Sequence, residues 1–169
     1  MKTFVVFLFL LFVFTSPVHA SSYVLPYPGI MPGNKLYKVS EFVDFAKNFY
    51  SIGDFAQFKY NLSQSDKYLV EAKTLFEYNQ YPLAARALQK SNDYFKKVPE
   101  VLHLAQKRGK NIQEKKTIYE TAKEKHIEVL TKLKSELPES FVWQDEKKAP
   151  VTIQIGNLID QSLQERSQL

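Results

Sequence analysis

Few side chains here are of the types that do chemistry, and their spacing narrows what that chemistry is. Three histidines are present, His19, His103 and His126. His126 falls on the apolar stripe of a predicted helix, where a metal site needs a second His, Asp or Glu three or four residues away. Those positions hold Ala122, Lys123, Val129 and Leu130, so His126 reads as a core or interface histidine. His103 has Lys107 at i+4 and offers nothing better. Paired carboxylates for acid–base work must converge in one cleft with separated pKa values. Glu71, Glu77, Asp93, Glu100, Glu114 and Glu120 instead stand among lysines at helical spacing and read as surface ion pairs. No Gly-x-Ser-x-Gly elbow, phosphate loop or dinucleotide fingerprint occurs, and five glycines leave little material for one. The chain has no cysteine, hence neither a thiolate nucleophile nor a disulfide. No catalytic residue, metal ligand or cofactor is assigned, and the expectation is a protein that is not an enzyme.

Aromatic residues are the better candidates. Tyr60, Tyr68, Tyr78, Tyr81 and Trp143 are placed to line a groove for a peptide or a glycan, with the competing reading that aromatics at helical spacing are core. The Asn61-Leu62-Ser63 triplet has the pattern of a glycosylation sequon, but it lies inside a predicted helix beside a buried leucine.

The elements that position these residues are helices. Phe55, Phe58, Leu62, Ser65, Leu69, Ala72 and Phe76 recur at spacings of three and four, leaving Lys59, Gln64, Lys67, Glu71 and Lys73 to face elsewhere. After a turn at Tyr78-Asn79-Gln80-Tyr81-Pro82, the residues Ala84, Ala87, Leu88, Ser91, Tyr94 and Phe95 repeat the pattern. Two such stripes close on each other as a hairpin. Asp54 is expected to cap the first of these helices and Asn34 the helix before it, over residues 35–50. In that earlier helix Leu36, Val39, Val43, Ala46 and Tyr50 form a stripe widened by Phe42, Phe45 and Phe49. Beyond Pro99, Val98, Val101, Leu102 and Ala105 keep one register, so the helix opened by Pro82 is expected to continue with a bend and stop at Gly109. Residues 112–136 form a further helix, ended by Leu137-Pro138. Phe141, Val142 and Trp143 read as a loop tucking aromatics inward. Val151, Ile153 and Ile155 alternate as a strand would, yet with no partner strand in view the expectation is a helix opened by Pro150.

The remaining segments set the context. Lys2, the apolar run from Phe4 to Phe14 and small residues before Ala20 make a secretory signal peptide over residues 1–20. The run is short for a membrane span, so no stable span is expected after cleavage near Ala20, and the mature protein is expected outside the cytoplasm. Residues 21–34 hold three prolines and two glycines and read as an extended arm lying on the bundle. The formal net charge of +5 falls by one, to +4, with loss of Lys2. Acidic and basic residues alternate closely, as in Lys115-Lys116…Glu120…Lys123-Glu124-Lys125…Glu128, which reads as a solvated helix face and not a nucleic-acid patch. Lys107-Arg108-Gly109-Lys110 is a richer cationic end that would favour an anionic surface.

Two stretches carry a family resemblance. Tyr23-Val24-Leu25-Pro26-Tyr27-Pro28-Gly29-Ile30-Met31-Pro32 followed by Leu36-Tyr37 resembles the Leu-Pro…Pro-Gly-x-x-Pro…Leu-Tyr motif of the bacterial extracytoplasmic domain-of-unknown-function family DUF5667. Ala56-Gln57-Phe58…Leu62…Ser65-Asp66-Lys67…Leu69…Glu71-Ala72 is similar to that family's second helix. Tyr81…Ala84…Leu88…Lys90…Tyr94-Phe95 and His126…Val129-Leu130 are similar to its third and fourth. The resemblance implies export, an all-helical fold and a bacterial source, and it implies no reaction.

The expected architecture is therefore all-α: an antiparallel bundle of four long helices (residues 35–137), a loop with a short C-terminal helix (138–169), and a Pro-rich N-terminal arm. The expected function is an exported, non-enzymatic module that binds another protein or a cell-envelope component. Its alternatives are a small-ligand or lipid carrier with an aromatic-lined cavity, and an unrecognised hydrolase.

Overall fold

The α2–α3 hairpin closes at a turn where Asn79 takes a positive φ of 57°. Its amide donates to the Phe76 carbonyl at 3.0 Å, and the Gln80 amide to the Leu75 carbonyl at 2.8 Å, which is the pattern that ends a helix with a left-handed residue. This turn lies within a computed structural model that describes residues 23–144 and 149–168. The expected signal peptide, residues 1–20, and its cleavage site lie outside the described residues. The elements are α1 (Tyr37–Tyr50), α2 (Asp54–Glu77), α3 (Tyr81–Lys107), α4 (Gln113–Glu136), β1 (Phe141–Trp143), β2 (Val151–Ile153) and α5 (Ile155–Gln168). Pro99 lies inside α3 without ending it, and Gly109, at a φ of 75°, stops that helix as the sequence predicts.

The chain forms the all-α antiparallel bundle expected from its periodicity. Ser65 meets Ser91 and Asp54 meets Arg108, so α2 and α3 run in opposite directions. Asn92 meets Ser162 and Lys96 meets Glu165, so α5 lies parallel to α3, while Lys134 of α4 pairs with Asp160 near the start of α5. The core is built from α2, α3, α4 and α5, and α1 lies on its outside.

That core is layered. One apolar cluster contains Leu69, Phe76, Tyr81, Leu88, Leu130 and Ile159; a second contains Phe58, Leu62, Phe95, Val98, Tyr119 and Ala122. Between them, one turn along each helix, lies a polar layer of Ser65, Asp66, Ser91, Asn92, His126, Ser162 and Arg166, all buried. The arm crosses this stack: Leu25 and Met31 pack on the first cluster and Tyr23 on the second, while Val24 and Tyr27 face water.

Five expectations are corrected. Val151–Ile153 is a strand, paired antiparallel with Phe141–Trp143 in the register Phe141 to Ile153, and the last helix begins at Ile155. The partner strand lay in the segment read as a loop; pairing meets both segments' backbone groups and lays Phe141 and Ile153 on the core. Asp54 does not cap α2. Gly53, at a φ of 94°, holds that position, and the Asp54 carboxylate instead pairs with Arg108 and Lys110, which the hairpin brings from the end of α3. Asn34 accepts from the Leu36 amide at 2.9 Å in a local turn, with α1 starting later than expected, at Tyr37. Gln64 and Glu71, expected to face away from the core, are buried, because α1 and the arm cover that side of α2. The fifth correction concerns α1, whose stripe, expected to be buried with those of the other three long helices, points outward; the one buried residue of the helix is Asp44.

Candidate interaction surface

At 100° per residue, α1 divides into two arcs. Phe42, Val43, Phe45, Val39, Phe49 and Tyr50 share one; Tyr37, Ser40, Glu41 and Asp44 share the other. The polar arc docks. Tyr37 donates to Glu71 at 2.8 Å, Lys67 pairs with Asp44 and donates to Ser40, Lys90 reaches Glu41 at 2.6 Å, and Tyr60 donates to the Asp44 carbonyl at 3.1 Å. Burial acts to raise the Asp44 carboxyl, but Lys67 and Lys47 outweigh it and hold that group below the usual carboxylate range. Burial pushes Glu71 above its ordinary range, with the Tyr37 hydroxyl and Lys67 opposing.

The apolar arc is left in water. Phe42 is 69% exposed, Phe49 73% and Tyr50 85%, with Phe45, Val39, Val43 and, past the helix end, Ile52 also exposed. At about 200 Å² per aromatic side chain, the four rings alone leave roughly 600 Å² of apolar surface uncovered. That is the upper end of the largest patch found on an ordinary monomer. Between α1 and α2 a groove of about 550 Å³ runs alongside it, lined by Phe42, Val43, Tyr50, Lys47 and Lys59.

Of the five aromatics singled out in the sequence, only Tyr60 and Tyr68 come together. Both are buried against the half-buried Tyr94, whose ring stacks on Tyr68 at 5.9 Å and meets Tyr60 edge-on at 5.8 Å, and they form a cushion beneath α1. Burial raises the pKa of both. Tyr81 is core, between Phe76 and Phe141. Tyr78 is exposed at the end of α2 and borders a separate groove of about 510 Å³ with Tyr27 of the arm. Trp143 is half-buried in the strand pair. The five do not line one groove.

The polar layer contains the chemistry-bearing groups that sequence spacing did not connect. The His126 Nε2 lies 2.7 Å from the Asp66 carboxylate, and Arg166 Nε donates to His126 Nδ1 at 3.1 Å. Because Nδ1 accepts, Nε2 carries the proton and donates to Asp66, so the imidazole is neutral. Burial lowers its pKa and Asp66 only partly offsets that. Tyr23 donates to the other Asp66 oxygen at 2.5 Å. Arg166 also donates to Asn92 at 2.7 Å and to the Ser91 hydroxyl at 3.0 Å, and it stacks on Phe95. Burial brings the guanidinium down to a pKa of about 10. Neither His126 nor Arg166 has any exposed surface.

Among the described residues no group of three or more His, Asp or Glu is placed to hold a metal ion, and no helix is long and apolar enough to cross a membrane. No curated protein and no solved structure matches this chain. A family model matches residues 29–140, taking in α1 to α4 and stopping before the strand pair and α5. The match therefore includes the outward helix, Asp66 and His126, but not Arg166. It spans more than half of the 169 residues, and the chain belongs to the family described as Domain of unknown function (DUF5667).

Proposed function

We propose that this protein is an exported, non-enzymatic interaction module that meets a protein or cell-envelope component through the outward face of α1. One observation carries the reading. A helix has been mounted with its polar arc on the bundle and its aromatic arc in solvent, and exposure of that much contiguous apolar surface marks a contact site. The non-enzymatic part is supported by the state of the ionisable cluster in the core: His126 has its acceptor nitrogen occupied by Arg166 and no solvent contact. A hydrolase built on it would need the core to open.

A second reading, a small-ligand or lipid carrier, is favoured by a groove of about 660 Å³ bordered by Tyr23, Phe55, Phe58, Leu62 and Ile118. Its size falls within the range of small-molecule sites. In-cell crosslinking followed by mass spectrometry of the captured species separates the two. The module reading predicts one dominant captured component, lost in Phe45→Ser. Capture of nothing above background, with a ligand retained in native mass spectrometry, supports the carrier instead.

A further inference from the structure

We infer that the occupant of the α1 face is the surface of an anionic lipid bilayer, on which α1 lies with its aromatic arc inserted at the headgroup boundary; this rests on the reading of α1 as the contact site. The charges around α1 point to this occupant. From residue 35 to residue 63 there are three carboxylates and four lysines. Each carboxylate is compensated by at least one cation: Glu41 by Lys90, Asp44 by Lys67 and Lys47, Asp54 by Arg108 and Lys110. The four lysines, Lys35, Lys38, Lys47 and Lys59, are all exposed, and only Lys47 is in an ion pair among the described residues. Lys38 falls within the aromatic arc, one turn before Phe42, while Lys47 and Lys59 border the groove beside it. At the far tip, Arg108 and Lys110 gather next to the exposed Ile52.

The outward surface is thus aromatic, flanked by cations and free of uncompensated carboxylates. An interfacial helix on anionic lipid has this composition. A second copy of the chain fits less well, because pairing this face with itself brings together two cation-flanked surfaces with no uncompensated carboxylate on either. A protein groove is a different partner, and the convex, uninterrupted helix suits a deformable planar phase.

Vesicle flotation with the chain from Ser21 onward, which keeps every described residue, tests this. Vesicles of phosphatidylglycerol with phosphatidylcholine are compared with phosphatidylcholine alone, at low and high salt. The expected result is partition onto the anionic vesicles that weakens with salt. Phe45→Ser with Phe49→Ser should lower it roughly tenfold or more, and Lys38→Glu with Lys59→Glu several-fold, on anionic vesicles only. Urea midpoints that match the parent chain show that the variants are folded. Absence of partition at low salt overturns the lipid assignment. If sedimentation then shows a dimer that Phe45→Ser dissociates, a second copy occupies the face and the contact-site reading stands. If the chain is monomeric and in-cell crosslinking is insensitive to both double variants, that reading falls as well.

Discussion

The polar layer of the bundle and the outer face of α1 are opposite departures from one rule. In the first, charged and polar groups are sealed in the core; in the second, large apolar groups are left in water. The difference lies in what surrounds them. Inside, Asp66, His126, Arg166, Asn92, Ser91 and Ser162 answer one another's donors and acceptors, and the layer has internal partners. Outside, Phe42, Phe45 and Phe49 have, among the described residues, no ring contact beyond the edge-on one between Phe45 and Phe49 at 5.6 Å. A complete network points to a structural role, fixing helix register between two otherwise slippery apolar clusters. An incomplete apolar surface points to something beyond the chain.

The comparison breaks most sharply at Arg166. Arg166→Ala leaves His126 Nδ1, Asn92 Oδ1 and the Ser91 hydroxyl without their donor and Asp66 without its nearby cation, so about 3–5 kcal/mol of stability should be lost. Urea unfolding reads this, and a loss below 1 kcal/mol by the same measure (roughly the value of an exposed ion pair) would show the layer to be dispensable. Leu69→Ala, in the apolar cluster beside the layer, should cost about 2–5 kcal/mol in the same assay.

The layer also has a pH signature. His126 is neutral in the folded protein, with a pKa below its ordinary 6.5. As pH falls through 6.5 the unfolded chain takes up a proton that the folded chain does not, so this group's contribution declines on the acid side. The slope approaches about 1.4 kcal/mol per pH unit from this residue alone. His126→Gln should flatten the dependence of the urea midpoint between neutral and mildly acid pH; an unchanged slope would mean His126 is not the group responsible. Asp44, held below the carboxylate range by Lys67 and Lys47, contributes in the same direction but only at lower pH, below its ordinary 3.8. The smallest expected effect sharpens the other side: Phe45→Ser, at an exposed position, should move stability by less than about 0.5 kcal/mol while removing binding.

What the amino-acid order made legible follows physical range. The hairpin was readable because each stripe repeats within one helix, and Pro82, Pro99 and Gly109 act on their own backbone. The polar layer was not, because Asp66 lies 60 residues from His126 and Arg166 lies 40 residues beyond it, and only the topology joins them. Arg166 stands in a last helical turn, where a cation is commonplace and nothing local marks it as buried. In α1 the stripe was visible but its direction was not: amphipathicity shows that a helix has two faces, and which one docks depends on the surface it meets. Here that surface presents Lys67, Glu71, Lys90 and Tyr60. The strand pair failed for a related reason, since three residues per strand carry almost no periodic signal.

Because the chain lacks cysteine, a single thiol reports on one position. The most direct test is the rate at which Phe49→Cys reacts with a membrane-impermeant maleimide, in the purified protein and in the exporting cell, beside Ala122→Cys as a fully buried reference. The account predicts fast labelling of position 49 in the purified protein, strong protection in the cell, and no labelling at position 122 until the protein unfolds. Slow labelling of the purified protein would mean that the face is already covered by the chain itself. Equally fast labelling in the cell would mean that nothing occupies it.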